Sequence, residues 1–204
     1  MKRIHARKKL EVLNSSGYAE HGASSTKKSL LGWTSRAGSP DEDIVFNSRK
    51  LRYRSRDLYM GSPIAASAIK TMRTNVVGAG LKLNASIDYD LLNLTPEQAD
   101  EWETNTEREF ALWANNPNCD ATRYNTFGKL QGLAFISMLM SGDSFVLIPI
   151  VKRKGVPYDL RVHLIEADRI CNPYNVPNFN LKVLEGVEVG ENGEAVAYHI
   201  ANIS

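Results

Sequence analysis

Four histidines, His5, His21, His163 and His199, are the natural starting points for acid–base or metal chemistry. None stands at a metal-ligand spacing from another, and none falls in a nucleophile motif. The densest titratable set is His163, Glu166 and Asp168. On a strand, positions three apart face opposite sides, so His163 points away from Glu166 and the set fails the simplest geometric test for an acid–base pair. Glu97, Asp100, Glu101, Glu103, Glu107 and Glu109 form a second carboxylate group. No histidine accompanies them, which favours a solvated helix face over a metal site or a catalytic pair. Gly142-Asp143-Ser144 has no nameable base or oxyanion partner. Val76-Val77-Gly78-Ala79-Gly80 invites a nucleotide-loop reading, but a dinucleotide fingerprint sets its glycines between a strand and a helix and needs a third. Here they follow a helix, and no Gly-Lys-Ser/Thr exists for a phosphate loop. No catalytic residue, metal or cofactor is assigned, and the expectation is a protein that is not an enzyme.

The remaining chemistry is cationic. Arg49, Arg52 and Arg56 recur at spacings of three and four, which puts them on one helix face. Lys50 and Arg54 lie beside it, and Ile44, Leu51 and Leu58 hold the opposite, apolar side. A guanidinium row suits phosphates or a carboxylate-rich partner, so these five residues are the candidate face for DNA or a neighbouring subunit. The plainer reading is a solvated face with intrahelical pairs to Asp57 and the first-turn acids. Trp33 is the candidate anchor of the N-terminal segment, either on a neighbouring subunit or locally on the body.

The elements that must position these residues can be read in order. Residues 1–40 form a flexible basic arm, with a short amphipathic helix over Lys2–Leu13 carried by Ile4, Leu10 and Leu13. Its Gly/Ser/Ala/Lys-rich remainder has too little apolar surface to offset ordering entropy. Residues 41–204 form the body. Asp41-Glu42-Asp43 open a helix to about Met60, where acids oppose the helix dipole. Ser62-Pro63 start the next, with an apolar stripe of Ile64, Ala68, Met72 and Val76 widened by Ala65 and Ile69, and Gly78 stops it. Gly80 then turns the chain into a strand over Leu81–Leu83.

Thr95-Pro96-Glu97-Gln98 is a capping box, opening a helix with Ala99, Trp102, Thr106, Phe110 and Trp113 along one face. Asn115–Thr126 is a loop. Thr126 caps a fourth helix, with Leu130, Leu133, Ala134, Ser137 and Met138 inward, ended by Gly142. Strands are expected over Ser144–Val151 and Leu160–Glu166, the latter with Leu160, Val162 and Leu164 opposite Arg161 and His163. After a Pro/Asn-rich loop, Val183–Val189 and Ala195–Ile200 read as a hairpin around Gly190-Glu191-Asn192-Gly193. Four helices and about five late strands make an α+β fold with a mostly antiparallel sheet.

Composition sets the frame. The chain has 204 residues, 43% hydrophobic and 24% charged, ordinary for a globular protein. No apolar run reaches the roughly 18 residues of a membrane helix, and no apolar segment follows the charged first residues as a secretory signal would. Cys119 and Cys171 make no disulfide framework and are expected as thiols. The net charge of +2 hides an asymmetry: residues 1–56 carry thirteen Lys/Arg against five acids, or +8, which leaves −6 on the rest. A basic arm on an acidic body points to nucleic acid or an acidic protein surface, or to no more than a solvated tail.

Five stretches in order, LRYRSRDLYMGSPIAASAIKTMRTNVVGAGLKL, FALWANNPNCD, FGKLQGLAFISMLMSGDSFVL, LRVHLIEADRI and GVEVGENGEAVAYHI, span Leu51 to Ile200. Through them the chain resembles the lambda-like family of bacteriophage portal proteins. The resemblance implies a structural subunit of a homo-oligomeric ring, a dodecamer by family expectation, at one procapsid vertex. It implies a conduit for double-stranded DNA in packaging and ejection, and a docking point for the terminase. Implied partners are further copies of the chain, the major capsid and scaffold proteins, the terminase, and DNA passing through without sequence preference, with no membrane. The implied location is the virion portal vertex, after assembly in the host cytoplasm. The chain would supply the arm and a wing-like body, truncated before the expected stem, clip and crown. An acidic body suits a conduit that does not grip DNA, since Lys/Arg contacts to phosphate would slow its passage. The alternative is a basic-armed nucleic-acid-binding module without ring assembly.

Overall fold

The structure is a computed structural model that describes residues 24, 27–33, 38–173 and 182–202. The chain divides into two units, Met1–Ser39 and Pro40–Ser204. In the first, Lys28–Leu30 forms a 3-10 turn, and Trp33 N donates to Leu30 O at 3.0 Å just beyond it. The helix expected over Lys2–Leu13 lies outside the described residues.

Among its described residues the second unit is α+β, with four longer helices before two small antiparallel sheets. Helix α1 is Ser48–Gly61, α2 Pro63–Val76, α3 Pro96–Ala114 and α4 Phe127–Ser141. Among the described residues no helix is long and apolar enough to cross a membrane. The acids expected in the first turn of α1 stand apart from it. Pro40–Asp43 is a separate helical turn, and Val45–Asn47 a 3-10 turn. Asn47 Nδ2 donates to Glu42 O and Asp43 O at 3.4 and 3.2 Å, so its amide takes carbonyls that a continuous helix would have used.

The predicted caps hold the other helix starts. Ser62 Oγ accepts from Ala65 N at 3.4 Å with Pro63 behind it, and the Thr95/Gln98 capping box is complete. Thr126 stands at the N-cap of α4 but makes no side-chain cap bond. Gly142, at φ +82°, ends α4 in the left-handed conformation expected of a glycine stop.

The Gly78-Ala79-Gly80 turn is a packing device. A Cβ on Gly80 would lie 2.7 Å from Gly128 Cα, and one on Gly128 would lie 2.6 Å from Ala79 O. Two glycines therefore let the turn after α2 press on the first turn of α4. The segment after it is not a strand, as had been expected for Leu81–Leu83, but extended chain held by side chains. Leu81 N donates to Gln131 Oε1 at 2.8 Å, Ala85 N to Glu107 Oε1 at 2.9 Å and Ile87 N to Glu103 Oε1 at 2.8 Å. Glu103 and Glu107 of the acidic helix face thus act as backbone acceptors, so that face is only partly a solvated one.

The core sits where α3 meets α4. Trp113, Cys119, Leu130 and Val162 are buried together, with Phe110, Phe127 and Tyr158 against them. The three rings Phe110, Trp113 and Phe127 have centroids 5.1–5.7 Å apart, with Phe110 edge-on to Phe127. Trp113 Nε1 donates to Leu160 O at 3.0 Å, which ties α3 to the strand region. Trp102 departs from the predicted stripe and is half exposed.

Strand β1, Phe145–Leu147, pairs antiparallel with β2, His163–Ile165. The second sheet runs β3-β4-β5, Val183–Leu184, Val187–Val189 and Ala195–Tyr198. The strand expected over Val183–Val189 is split by Glu185 and Gly186, at φ +48° and +83°, as a two-residue hairpin turn requires. Most of the preceding Pro/Asn-rich loop, residues 174–181, lies outside the described residues.

Gly128→Ala is expected to lower stability by about 1–3 kcal/mol, because its methyl meets backbone that cannot turn aside. Gly61→Ala, with nothing within 4 Å of its Cβ, should leave stability unchanged or slightly raised. Urea unfolding of the two variants measures both.

Candidate interaction surface on the first helix pair

The arginine row on α1 does not form one outward face. Arg52 is buried. Its Nε donates to Ser141 O at 3.1 Å, its Nη1 to Ala167 O at 3.3 Å and its Nη2 to Asp143 Oδ2 at 2.7 Å. One turn on, Arg56 pairs with Asp168 and donates to Ser141 Oγ at 3.5 Å. Two guanidinium groups thus clamp the last turn of α4, the turn into β1 and the 3-10 turn Ala167–Arg169 after β2. Ser141 O is a C-terminal helix carbonyl, where positive charge is favoured. The fork geometry of arginine suits several acceptors at fixed angles.

Arg49, Lys50 and Arg54 stay exposed, and Arg49 Nε donates to Tyr53 Oη at 3.2 Å. That bond raises the Arg49 pKa, since it favours the charged form. Of the five candidate residues, the structure thus leaves three exposed, buries Arg52 and half-buries Arg56.

With the arginines turned in, the apolar side of α1 faces out: Leu51, Leu58 and the adjoining Ile44 are exposed. Helix α2 repeats the inversion. Ile64, the first residue of its predicted core stripe, is 84% exposed, and Met72 and Val76 are about half exposed. The side that packs is the small-residue one, Ala65, Ala66 and Ile69, followed by Arg73. Arg73 lies against Gly132 of α4, where an added Cβ would come within 2.8 Å of its Nε. Small residues and one cradled guanidinium let α2 approach α4 closely, which leaves the row Ile64, Ala68, Met72, Val76 uncovered.

The chemistry candidates end up elsewhere. A cavity of about 550 Å³ between α4 and β2 is lined by Arg56, Asp120, His163 and Glu166 among others. His163 and Glu166 share that lining because β2 ends at Ile165, so the alternation argument that kept them apart stops one residue short. Asp120 is the organised carboxylate. Burial raises its pKa, but four donors, the N–H and side chains of Thr122 and Asn125 at 2.8–3.2 Å, outweigh that and hold it below the ordinary value. With both oxygens saturated, it braces the loop and is not set up as a base. Among the described residues no group of three His, Cys, Asp or Glu side chains could hold a metal ion.

The geometry is that of a body braced from within, with apolar rows turned out. A family model described as phage portal protein, lambda family, matches residues 26–204. The chain belongs to that family. A probable portal protein of Halomonas phage phiHAP-1 is 26% identical over 171 residues, covering 81% of this chain and 32% of that protein. The portal chain described here therefore spans about a third of that relative's length.

Arg52→Met should lower stability by about 2–4 kcal/mol, because it strands the carbonyls of Ser141 and Ala167. Arg54→Ala should change it by less than about 0.5 kcal/mol, as for an exposed residue. Acid unfolding supplies a third outcome. The folded-state pKa of Asp120 is depressed, so its contribution is full above the unfolded-state carboxylate value and fades as pH falls through the lower folded one. Asp120→Asn should flatten that part of the stability-against-pH curve.

Proposed function

We propose that this chain is part of a portal ring at one vertex of a phage capsid. Its role is structural. The ring is the conduit through which double-stranded DNA enters during packaging and leaves at ejection, and the point where the terminase docks. Partners in this reading are further copies of the chain, in a dodecamer, with the major capsid and scaffold proteins around the ring. The ring assembles in the host cytoplasm and persists in the virion. Family membership over residues 26–204 supports the portal role.

The observation that carries self-association is the outward row Ile64, Ala68, Met72 and Val76, with Leu51 and Leu58 on α1. Large apolar side chains left uncovered in rows mark surfaces that a neighbour buries. Trp33 is proposed as a second anchor, from the arm onto a neighbouring subunit. Arg49, Lys50 and Arg54 are the basic residues of α1 left for a partner or for passing DNA.

Light scattering across a concentration series tests the reading. The chain should gain mass with concentration, and Ile64→Glu/Met72→Glu should remain at protomer mass with an unchanged Tm. A protomer mass at all concentrations for the unaltered chain overturns self-association through this surface. A salt-titrated duplex binding assay separates the alternative. A portal segment should bind DNA weakly and without sequence preference, whereas a dedicated binding module should bind below micromolar with a steep salt slope. Charge reversal belongs at Arg49 and Arg54 in that assay, since reversal at Arg52 or Arg56 would break the internal clamp.

A further inference from the structure

Four cations gather at the C-terminal end of α3. Arg153 Nη1 donates to Asn118 O, Asn118 Oδ1 and Asp120 O at 3.2–3.4 Å, and its Nη2 to Ala121 O at 2.6 Å. These bonds tie the turn at residues 152–156 to the loop that follows α3. Arg123 lies in that loop at φ +65°, an uncommon conformation for a residue other than glycine, and its N–H donates to Asp120 O at 3.1 Å. Burial, then the charges of Arg161 and Arg123, lower the Arg153 pKa, so Arg123 and Arg153 are close enough to repel.

The cluster is not neutralised locally. Arg123, Lys152 and Lys154 are exposed and Arg153 is half-buried. Among the described residues none of the four makes an ion pair. Asp120 stands beside them, but its oxygens are taken by Thr122 and Asn125. Tyr124, next to Arg123, is 83% exposed.

The other end of α3 carries the opposite sign. Glu97, Asp100 and Glu101 are exposed and make no ion pair among the described residues. Farther along the helix, Glu103 and Glu107 are occupied by the N–H groups of Ile87 and Ala85, and Glu109 by Tyr158. Trp102, half exposed, is an uncovered ring within the acidic half. The 19 residues of α3 span roughly 28 Å at about 1.5 Å each. That is several times the screening length of about 8 Å at physiological salt, so the two ends do not neutralise one another within one copy.

We propose that the basic end, Arg123, Lys152, Arg153 and Lys154, docks on the acidic first half of α3 in a second copy of the chain, with Tyr124 and Trp102 as the aromatic contacts. A duplex would engage the basic end alone and leave the carboxylates and Trp102 uncovered. A second copy engages both ends. Contact between like ends is repelled, so copies join head to tail, the kind of contact that can close into a ring. The inference rests on the self-association proposed above and adds its direction: the apolar rows supply area, and the charged ends decide which surfaces meet.

Sedimentation of the 204-residue chain and two charge-reversed variants tests it. Lys152→Glu/Lys154→Glu makes both ends acidic, and Asp100→Lys/Glu101→Lys makes both basic. All four positions are exposed, so each variant should keep its Tm. Each variant alone should self-associate about tenfold or more weakly than the unaltered chain, and an equimolar mixture of the two should recover association. Association of the unaltered chain should weaken from 0.05 to 0.5 M NaCl, a result that needs no variant to fold. Undiminished association of either variant alone, no recovery in the mixture, or association that salt leaves unchanged each overturns the head-to-tail contact. If Ile64→Glu/Met72→Glu still abolishes association in those cases, the apolar rows stand and only this inference falls. An unaltered chain at protomer mass throughout removes both. Loss of duplex binding by Lys152→Glu/Lys154→Glu with unchanged self-association reassigns the basic end to phosphate and also overturns the proposal.

Discussion

The clamp made by Arg52 and Arg56 is the interaction on which the rest of this body depends. Two side chains one turn apart on α1 hold the end of α4, the entry to β1 and the turn after β2. These are elements about 90 to 115 residues away in sequence. Burying guanidinium groups carries a large desolvation cost, and here it is offset by two carboxylates and two backbone carbonyls set at the angles of the fork. A lysine could reach one of these acceptors at a time. Because the arginines must face inward, the apolar residues of the same helix must face outward. The internal electrostatics thereby fix which side of α1 stays exposed.

Much of this body is legible in the chain wherever a local rule decides the structure. Ser62-Pro63, Thr95-Pro96-Glu97-Gln98 and Gly142 mark helix ends because capping needs only neighbours in sequence. The aromatic stripe Phe110 and Trp113 is legible because nothing competes with it for burial. The orientation of α1 is not, since an arginine row and an apolar row share the same period. Only the distant acceptors Ser141, Asp143, Ala167 and Asp168 choose between them. On α2 the choice falls to Gly132, whose missing side chain admits Arg73 and draws in the small-residue face.

Other departures have equally specific causes. Where a strand was expected at Leu81–Leu83, Leu81 N goes to Gln131, and Ala85 N and Ile87 N just beyond go to Glu107 and Glu103, side-chain acceptors that periodicity cannot anticipate. The split at Glu185-Gly186 needs two positive φ angles, and a Cβ on Gly186 would lie 2.5 Å from Cys171 N. Arg161 is the largest departure. Alternation along a strand assigns it to the polar side, yet the consecutive residues Arg161 and Val162 are both buried, so a charge lies in the interior.

In this member of the portal family, an inward clamp leaves apolar rows turned outward, which is the arrangement that the proposed self-association requires. The most direct measurement is hydroxyl-radical footprinting of the chain, dispersed and assembled. Leu58, Ile64 and Met72 should be modified readily when dispersed and protected on assembly, while Arg52 should be protected in both states. Ready modification of Arg52 in the dispersed chain, or unchanged modification of Ile64 and Met72 on assembly, would contradict the account.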